Sequence, residues 1–311
     1  MKWRMSFPSR KEVFLVIGLL AVFLVLTAIF VGIRPEHFLM SFFFLLLFFA
    51  GIHTRKLAVA LLPFIVFAVS YDWMRVYPNY EVNPVDVRGL YGAEKSLFGI
   101  QTDGTVLIPC EFFARYHCVL ADVLAGIFYL CWVPVPVAFG IWLYARGQRQ
   151  LYLRFAMVFL FVNLIGFVGY YIYPAAPPWY AMNYGFEVLS DTPGNTAGLG
   201  RFDELLGCGI FHSIYGRNAN VFAAVPSLHA AYMVVALVYA IVGHCRKWLI
   251  AVFAFIMVGI WWTAVYTGHH YIIDVSLGIC CALTGCLLFE KGLMRWKAFH
   301  RFFERYSRYI A

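Results

Sequence analysis

Charge is what this sequence has least of. Only 13% of its 311 residues are Asp, Glu, Lys or Arg, against 63% that are hydrophobic, and the mean hydropathy is +0.76. A soluble domain covers its surface with roughly a quarter of charged residues, so a soluble globular protein is excluded. The sequence also lacks an internal repeat, a segment polar enough to be a separate soluble domain, and a small-residue cleavage site after its first apolar run. That run follows Met1–Lys11 and is longer than a signal-peptide core, so it reads as a retained span. A basic patch for nucleic acid is missing too. The net charge is +8, but the basic residues sit in short segments flanking apolar runs, which is a topology signal.

What is present is a succession of apolar runs of about 20 residues, the length that crosses a bilayer as helix. Eight spans fit: 12–33, 38–52, 57–77, 119–143, 152–173, 223–243, 248–267 and 271–290, the second short enough to be re-entrant or tilted. The expected fold class is therefore all-α integral membrane, with about eight transmembrane helices. Placing the N-terminus inside puts 17 of the 24 Lys and Arg on the inner side, and only Glu12, Glu290 and Glu304 of the 16 acidic residues. Positive residues collect on the cytoplasmic side. Both termini are expected there, and the long loops 78–118 and 174–222 outside.

The chain divides into N-terminal spans and the first outside loop (1–118), a core (119–291) and a basic tail (292–311). The tail mixes Arg, Lys and aromatic residues as an interfacial amphipathic helix on an anionic leaflet does. Of the eight cysteines, Cys110, Cys118 and Cys208 fall in or beside outside loops. They allow one disulfide with a thiol left over, or three free thiols.

Ionisable groups at a membrane face need a reason to be there. Two clusters open spans on the outer side: Pro226-Ser227-Leu228-His229, and Thr267-Gly268-His269-His270-Tyr271-Ile272-Ile273-Asp274. His270 and Asp274 are four apart, so on a helix they share a face. A carboxylate on one imidazole nitrogen leaves the other as nucleophile or base. Ser227 and His229 start a helix, where free N–H groups and the dipole favour phosphate. A second histidine opposite the first completes a nucleophile and general-acid pair. His117 and His212, each alone, read as hydrogen-bonded structural residues. Two histidines and one aspartate make a poor metal site, and no cofactor is expected.

The Pro-Ser-x-His and His-x3-Asp pair resembles the type 2 phosphatidic acid phosphatase superfamily. More closely, Tyr173–Tyr180, Gly198–Asp203, Val221–His229 and Trp261–Asp274 are similar to fungal inositol phosphorylceramide synthases, the aureobasidin-sensitive sphingolipid enzymes. The detailed likeness covers about residues 170–275, and Glu111–Pro136 is looser. It implies a six-helix core of the phosphatase type, with His270 forming a phosphohistidine, Asp274 orienting it and His229 protonating the leaving alcohol. Phosphatases of the superfamily carry Lys and Arg in a first motif and an Arg six residues before the nucleophile. Here Tyr173–Tyr180 has no base, and that Arg position holds Ala264. A phosphodiester carries less charge than a phosphomonoester and needs fewer cations, so a transferase fits better. Arg201 is the expected replacement clamp, able to hold phosphate bidentately, with Arg217 next; Ser227, Trp179 and Tyr180 complete the substrate-binding set.

The expected activity is transfer of phosphoinositol from phosphatidylinositol to a ceramide-like alcohol. The alternatives are a lipid phosphatase using water as acceptor, and a transporter or scaffold with a degenerate site. The partners are a phospholipid donor, a lipid-alcohol acceptor and the membrane, with no nucleic acid; a homo-oligomer is left open. The short flanking tails suit a bacterial inner membrane, although a Golgi membrane gives the same topology.

Overall fold

A computed structural model describes residues 7–190, 192–216 and 220–311. Its architecture is all-helical apart from one two-stranded hairpin, Ile100–Thr102 with Thr105–Leu107. Among the described residues, four helices are long and apolar enough to cross a membrane: Arg10–Phe30, Arg149–Ile172, Lys247–Tyr266 and one from Ile272. Two bent pairs raise the number to six if each is one span. Ile52–Ala60 meets Leu62–Val76 at 44°, and Val119–Tyr129 meets Pro134–Ala145 at 41°. Both bends fall where Pro63 or Pro134 opens the second helix, since proline fits a first helical turn and breaks a continuing ladder. Pro35–Ala50 and Leu228–Val242 are shorter apolar helices.

Sequence and structure part at residues 223–227. The apolar run 223–243 predicts helix throughout, yet the helix begins at Leu228 because Ser227 caps it, its Oγ accepting the Ala230 N–H at 3.4 Å. The residues before it are extended: Ala223 bridges Ala175, which in turn bridges Asp86. Both long loops, 78–118 and 174–222, are thereby tied to the entrance of this helix. Asn79 reinforces the tie, its Nδ2 donating to the carbonyls of Tyr170 and Phe222 at 2.8 and 2.9 Å.

The Leu228–Val242 helix is the centre of the core, packed by Arg149–Ile172, Lys247–Tyr266 and Ile272–Lys291. Lipid tails give no hydrophobic drive between helices, so close approach through small residues holds them together. Gly278 is the tightest case: a Cβ there would lie 2.1 Å from the Ser227 carbonyl oxygen. This approach brings the starts of the helices carrying His229 and Asp274 together, and the Ser227 N–H donates to the Asp274 carbonyl at 3.0 Å.

The tail forms a helix, Lys297–Ile310, that buries Phe303, Ser307 and Ile310 against the bundle. The Tyr306 hydroxyl donates to the Val59 carbonyl at 2.6 Å, while Arg301, Arg305 and Arg308 stay exposed. All eight cysteines lie among the described residues and all are free, Cys110, Cys118 and Cys208 included.

Candidate active site

The two predicted clusters meet. His229 Nδ1 lies 2.9 Å from His270 Nε2. On the other side of the ring, His270 Nδ1 faces Asp274 Oδ2 at 3.5 Å. This pairing does not arise as two residues on one helical face. His270 stands in the turn after Tyr266, and the helix begins only at Ile272. Asp274 is the third residue of that helix and bends back over its start, with Oδ2 accepting the Tyr271 N–H at 2.9 Å. The carboxylate faces His270 because of this capping geometry. Asp274 is fully buried, and its Oδ1 has no hydrogen-bond partner among the described residues.

His269 and His270 are both more than nine-tenths buried. Burial pushes the His270 imidazole down to about 4 and that of His269 down to about 3, because a dry site disfavours the cation. Neutral His270 keeps the lone pair that a nucleophile needs. If His270 Nδ1 carries the proton and turns it towards Asp274, Nε2 is the acceptor in the 2.9 Å contact and His229 Nδ1 the donor.

The histidines line a cavity of about 220 Å³. Its walls are aromatic: Phe67, Tyr71, Trp132, Tyr170, Trp179 and Tyr232. Trp132 packs edge-on to His229 at 4.3 Å, and Tyr215 stacks on His269 at 4.3 Å. Among the described residues no lysine or arginine lines it. Apolar walls around a paired imidazole site suit a lipid chain carrying a reactive headgroup.

The other candidate residues lie in different places. Trp179 walls the cavity, and its N–H donates to the Gly268 carbonyl at 3.0 Å. Tyr180 is buried outside it, with its hydroxyl donating to the Glu187 carbonyl and accepting from the Leu189 N–H, both at 2.8 Å. Ser227 serves as the cap of the His229 helix, not as a cavity wall. Arg201 also stays off the cavity: its Nε donates to Asp122 at 2.6 Å, and the guanidinium lies over the Tyr266 ring. The same carboxylate accepts from the Tyr266 hydroxyl at 2.8 Å and pairs with His117 at 3.1 Å. Arg217 lies outside the described residues.

Two residues at the site were given no role by the sequence. His269 lines the cavity, and its Nε2 meets the Thr196 carbonyl at 2.9 Å, pinning the glycine-rich part of the second loop to the catalytic turn. The Gly-His-His doublet was the available signal. Glu94, from the long loop 78–118, is fully buried under the start of the Asp274 helix. Its only trace in the sequence is an acid four residues after Leu90, on the buried face of an amphipathic segment.

Comparisons with known proteins identify the family. A family model described as the PAP2 superfamily matches residues 101–288. The chain is 67% identical to a phosphoinositol dihydroceramide synthase of Bacteroides thetaiotaomicron over 303 residues, 97% of this chain and 99% of the relative. It is 26% identical to the inositol phosphorylceramide synthase catalytic subunit of Saccharomyces cerevisiae, over 70% of this chain and 52% of that one. With the inositol phosphorylceramide synthase of Candida albicans it shares 30% over 53% of this chain and 37% of the relative. No solved structure matches. With the family model covering more than half of its residues and both histidine motifs, the chain belongs to the PAP2 superfamily.

Proposed function

We propose that this integral membrane protein transfers phosphoinositol from phosphatidylinositol to a ceramide or dihydroceramide and releases diacylglycerol. The observation that carries the chemistry is the His229–His270 contact of 2.9 Å in the lining of an aromatic cavity. The substrate class rests on the near full-length similarity to a phosphoinositol dihydroceramide synthase.

In the first half-reaction His270 Nε2 attacks phosphorus. The N–P bond forms, the bond to the diacylglycerol oxygen breaks, and that oxygen takes the proton held by His229. In the second, the hydroxyl oxygen of the acceptor attacks the phosphohistidine, His229 takes back the proton, and the N–P bond breaks. Asp274 orients His270 and stabilises the charge it gains. The rest of the acceleration is positioning and electrostatics, as is general for phosphoryl transfer. Trp179 holds an acceptor chain on the cavity wall, Tyr180 and Ser227 fix the segments beside it, and Arg201 reaches the phosphate by leaving Asp122.

Eight spans follow when the four long helices, the two bent pairs and the two shorter apolar helices each cross once. Core 119–291 then carries the chemistry on the non-cytoplasmic face, spans 1–118 flank it, and tail 292–311 lies on the cytoplasmic leaflet. The basic asymmetry supports this orientation, and the membrane proposed is a bacterial inner membrane.

The test uses purified protein with inositol-labelled phosphatidylinositol, with and without ceramide. Ceramide is expected to raise diacylglycerol release several-fold and to carry the label. Trp179→Ala is expected to divert label to water-soluble phosphoinositol, because water-excluding walls separate a transferase from a phosphatase. Release equally fast without acceptor, with all label in water, would establish the phosphatase reading instead.

A further inference from the structure

The helix that carries Asp274 starts in an unusual environment. A helix leaves its first N–H groups without intrahelical acceptors, and here a residue nearly two hundred positions away supplies them. Glu94 sits on the Arg88–Phe98 helix of the first outside loop and is fully buried. Its Oε1 accepts the Ile272 N–H at 2.9 Å and its Oε2 the Ile273 N–H at 3.2 Å. These are the first two residues of the Asp274 helix, whose positive end also favours a carboxylate. Glu94 is itself held in place: Tyr91 on the same helix donates to Glu111 at 2.8 Å, and the Asp86 backbone pairs with Pro174 and Ala176. It lies outside the 101–288 family match.

Asp274 has two claims on it. As third residue of the helix it can satisfy orphan backbone N–H groups, and it must also face His270. With Ile272 and Ile273 supplied by Glu94, the Asp274 carboxylate accepts from the Tyr271 N–H and is not drawn on by the N–H groups of Ile272 and Ile273. Removing Glu94 frees two N–H donors beside it. Asp274 Oδ1, which has no hydrogen-bond partner among the described residues, is the acceptor they would attract. The carboxylate would then turn towards its own helix and away from His270 Nδ1.

We propose that Glu94 is a positioning residue for catalysis, relieving Asp274 of capping duty so that it can orient His270. The proposal rests on the reading of His270 as nucleophile with Asp274 behind it. It also gives the first outside loop a part in the chemistry, although that helix does not line the cavity.

The test is a double-mutant cycle on the full chain, with kcat and KM measured for labelled phosphatidylinositol at saturating ceramide. Glu94→Gln, Asp274→Asn and the double variant are compared with wild type, and melting temperature in detergent monitors folding. Glu94→Gln is expected to lower kcat on the order of tenfold to a hundredfold, the cost of a misplaced catalytic group, with KM nearly unchanged. The double variant is expected to be no slower than Asp274→Asn alone, because both changes remove the same orientation. A residue with a merely structural role gives losses that multiply, and that outcome overturns the proposal, as does wild-type kcat in Glu94→Gln. Glu94→Asp, which keeps the carboxylate, is the second variant and is expected to retain more activity than Glu94→Gln; less activity overturns the proposal. Wild-type rates in Asp274→Asn would instead remove the His270–Asp274 reading itself.

Discussion

The first helix, Arg10–Phe30, and the core helix Arg149–Ile172 look alike as apolar runs, yet they live in different solvents. Within the most apolar stretch of each, 6% of the first helix is buried inside the protein, against 56% of the second. The first is apolar from Val13 to Leu26, and Gly18 has nothing within 4 Å of a would-be Cβ. The second carries Asn163, Gly166 and Gly169 among its apolar residues. Asn163 donates to the Phe159 carbonyl and accepts from the Tyr232 hydroxyl, and Gly166 admits Leu228. In a bilayer, then, the more uniformly apolar helix is the one that meets lipid. Small and polar residues mark the helices that meet protein, and here those helices hold the site.

Breaking this contrast should cost most at the catalytic turn. His270→Ala is expected to abolish diacylglycerol release, and Asp274→Asn to leave a small residue because the imidazole loses its orienter. Both are read as kcat on protein whose melting temperature is unchanged. Since burial holds His270 near 4, wild-type kcat/KM should persist as pH falls through the ordinary histidine range and drop only on approach to that value. An acid limb centred near 6.5 would contradict the buried, neutral nucleophile.

A matched pair of glycine substitutions tests the packing side. Gly278→Ala places a methyl 2.1 Å from the Ser227 carbonyl, and overpacking of that kind costs about 1–3 kcal/mol. It should lower both melting temperature and kcat, because it separates His229 from His270. Gly18→Ala, on the lipid-facing helix, should lower neither. Equal effects at the two positions would dissolve the distinction drawn between them.

At Arg201 the effect is expected in kinetics alone. Its guanidinium is committed to Asp122 in the resting site. If it swings to the phosphate during turnover, Arg201→Lys keeps the charge and loses the fork, costing about 1–3 kcal/mol in kcat/KM. Unchanged kinetics with a lowered melting temperature would leave it as the partner of Asp122 alone.

The meeting of His229 and His270 was legible in the sequence because their motifs are short and each sits at the mouth of an apolar run. The order of the helices was legible for the same reason, since hydropathy reports every stretch that leaves water. The contact between His270 and Asp274 was also expected, but for an incomplete reason: spacing of four suggested a helical face, and capping at Tyr271 produces the pair. Glu94 was not legible as part of the site, because its bonds to Ile272 and Ile273 join the loop 78–118 to a helix nearly two hundred residues on. The capture of Arg201 by Asp122 was hidden likewise. Local pattern names the candidate groups; long-range pairing decides which of them face one another.

The central claim is a covalent phosphoinositol on His270, and it is most directly tested by trapping it. Protein is mixed with inositol-labelled phosphatidylinositol in the absence of ceramide, quenched in alkali and digested, and the labelled peptide is identified by mass spectrometry. The account predicts acid-labile label on His270, formed with a matching burst of diacylglycerol and chased into a ceramide-linked product when acceptor is added. A protein that makes the ceramide-linked product yet never carries label on His270 would contradict it.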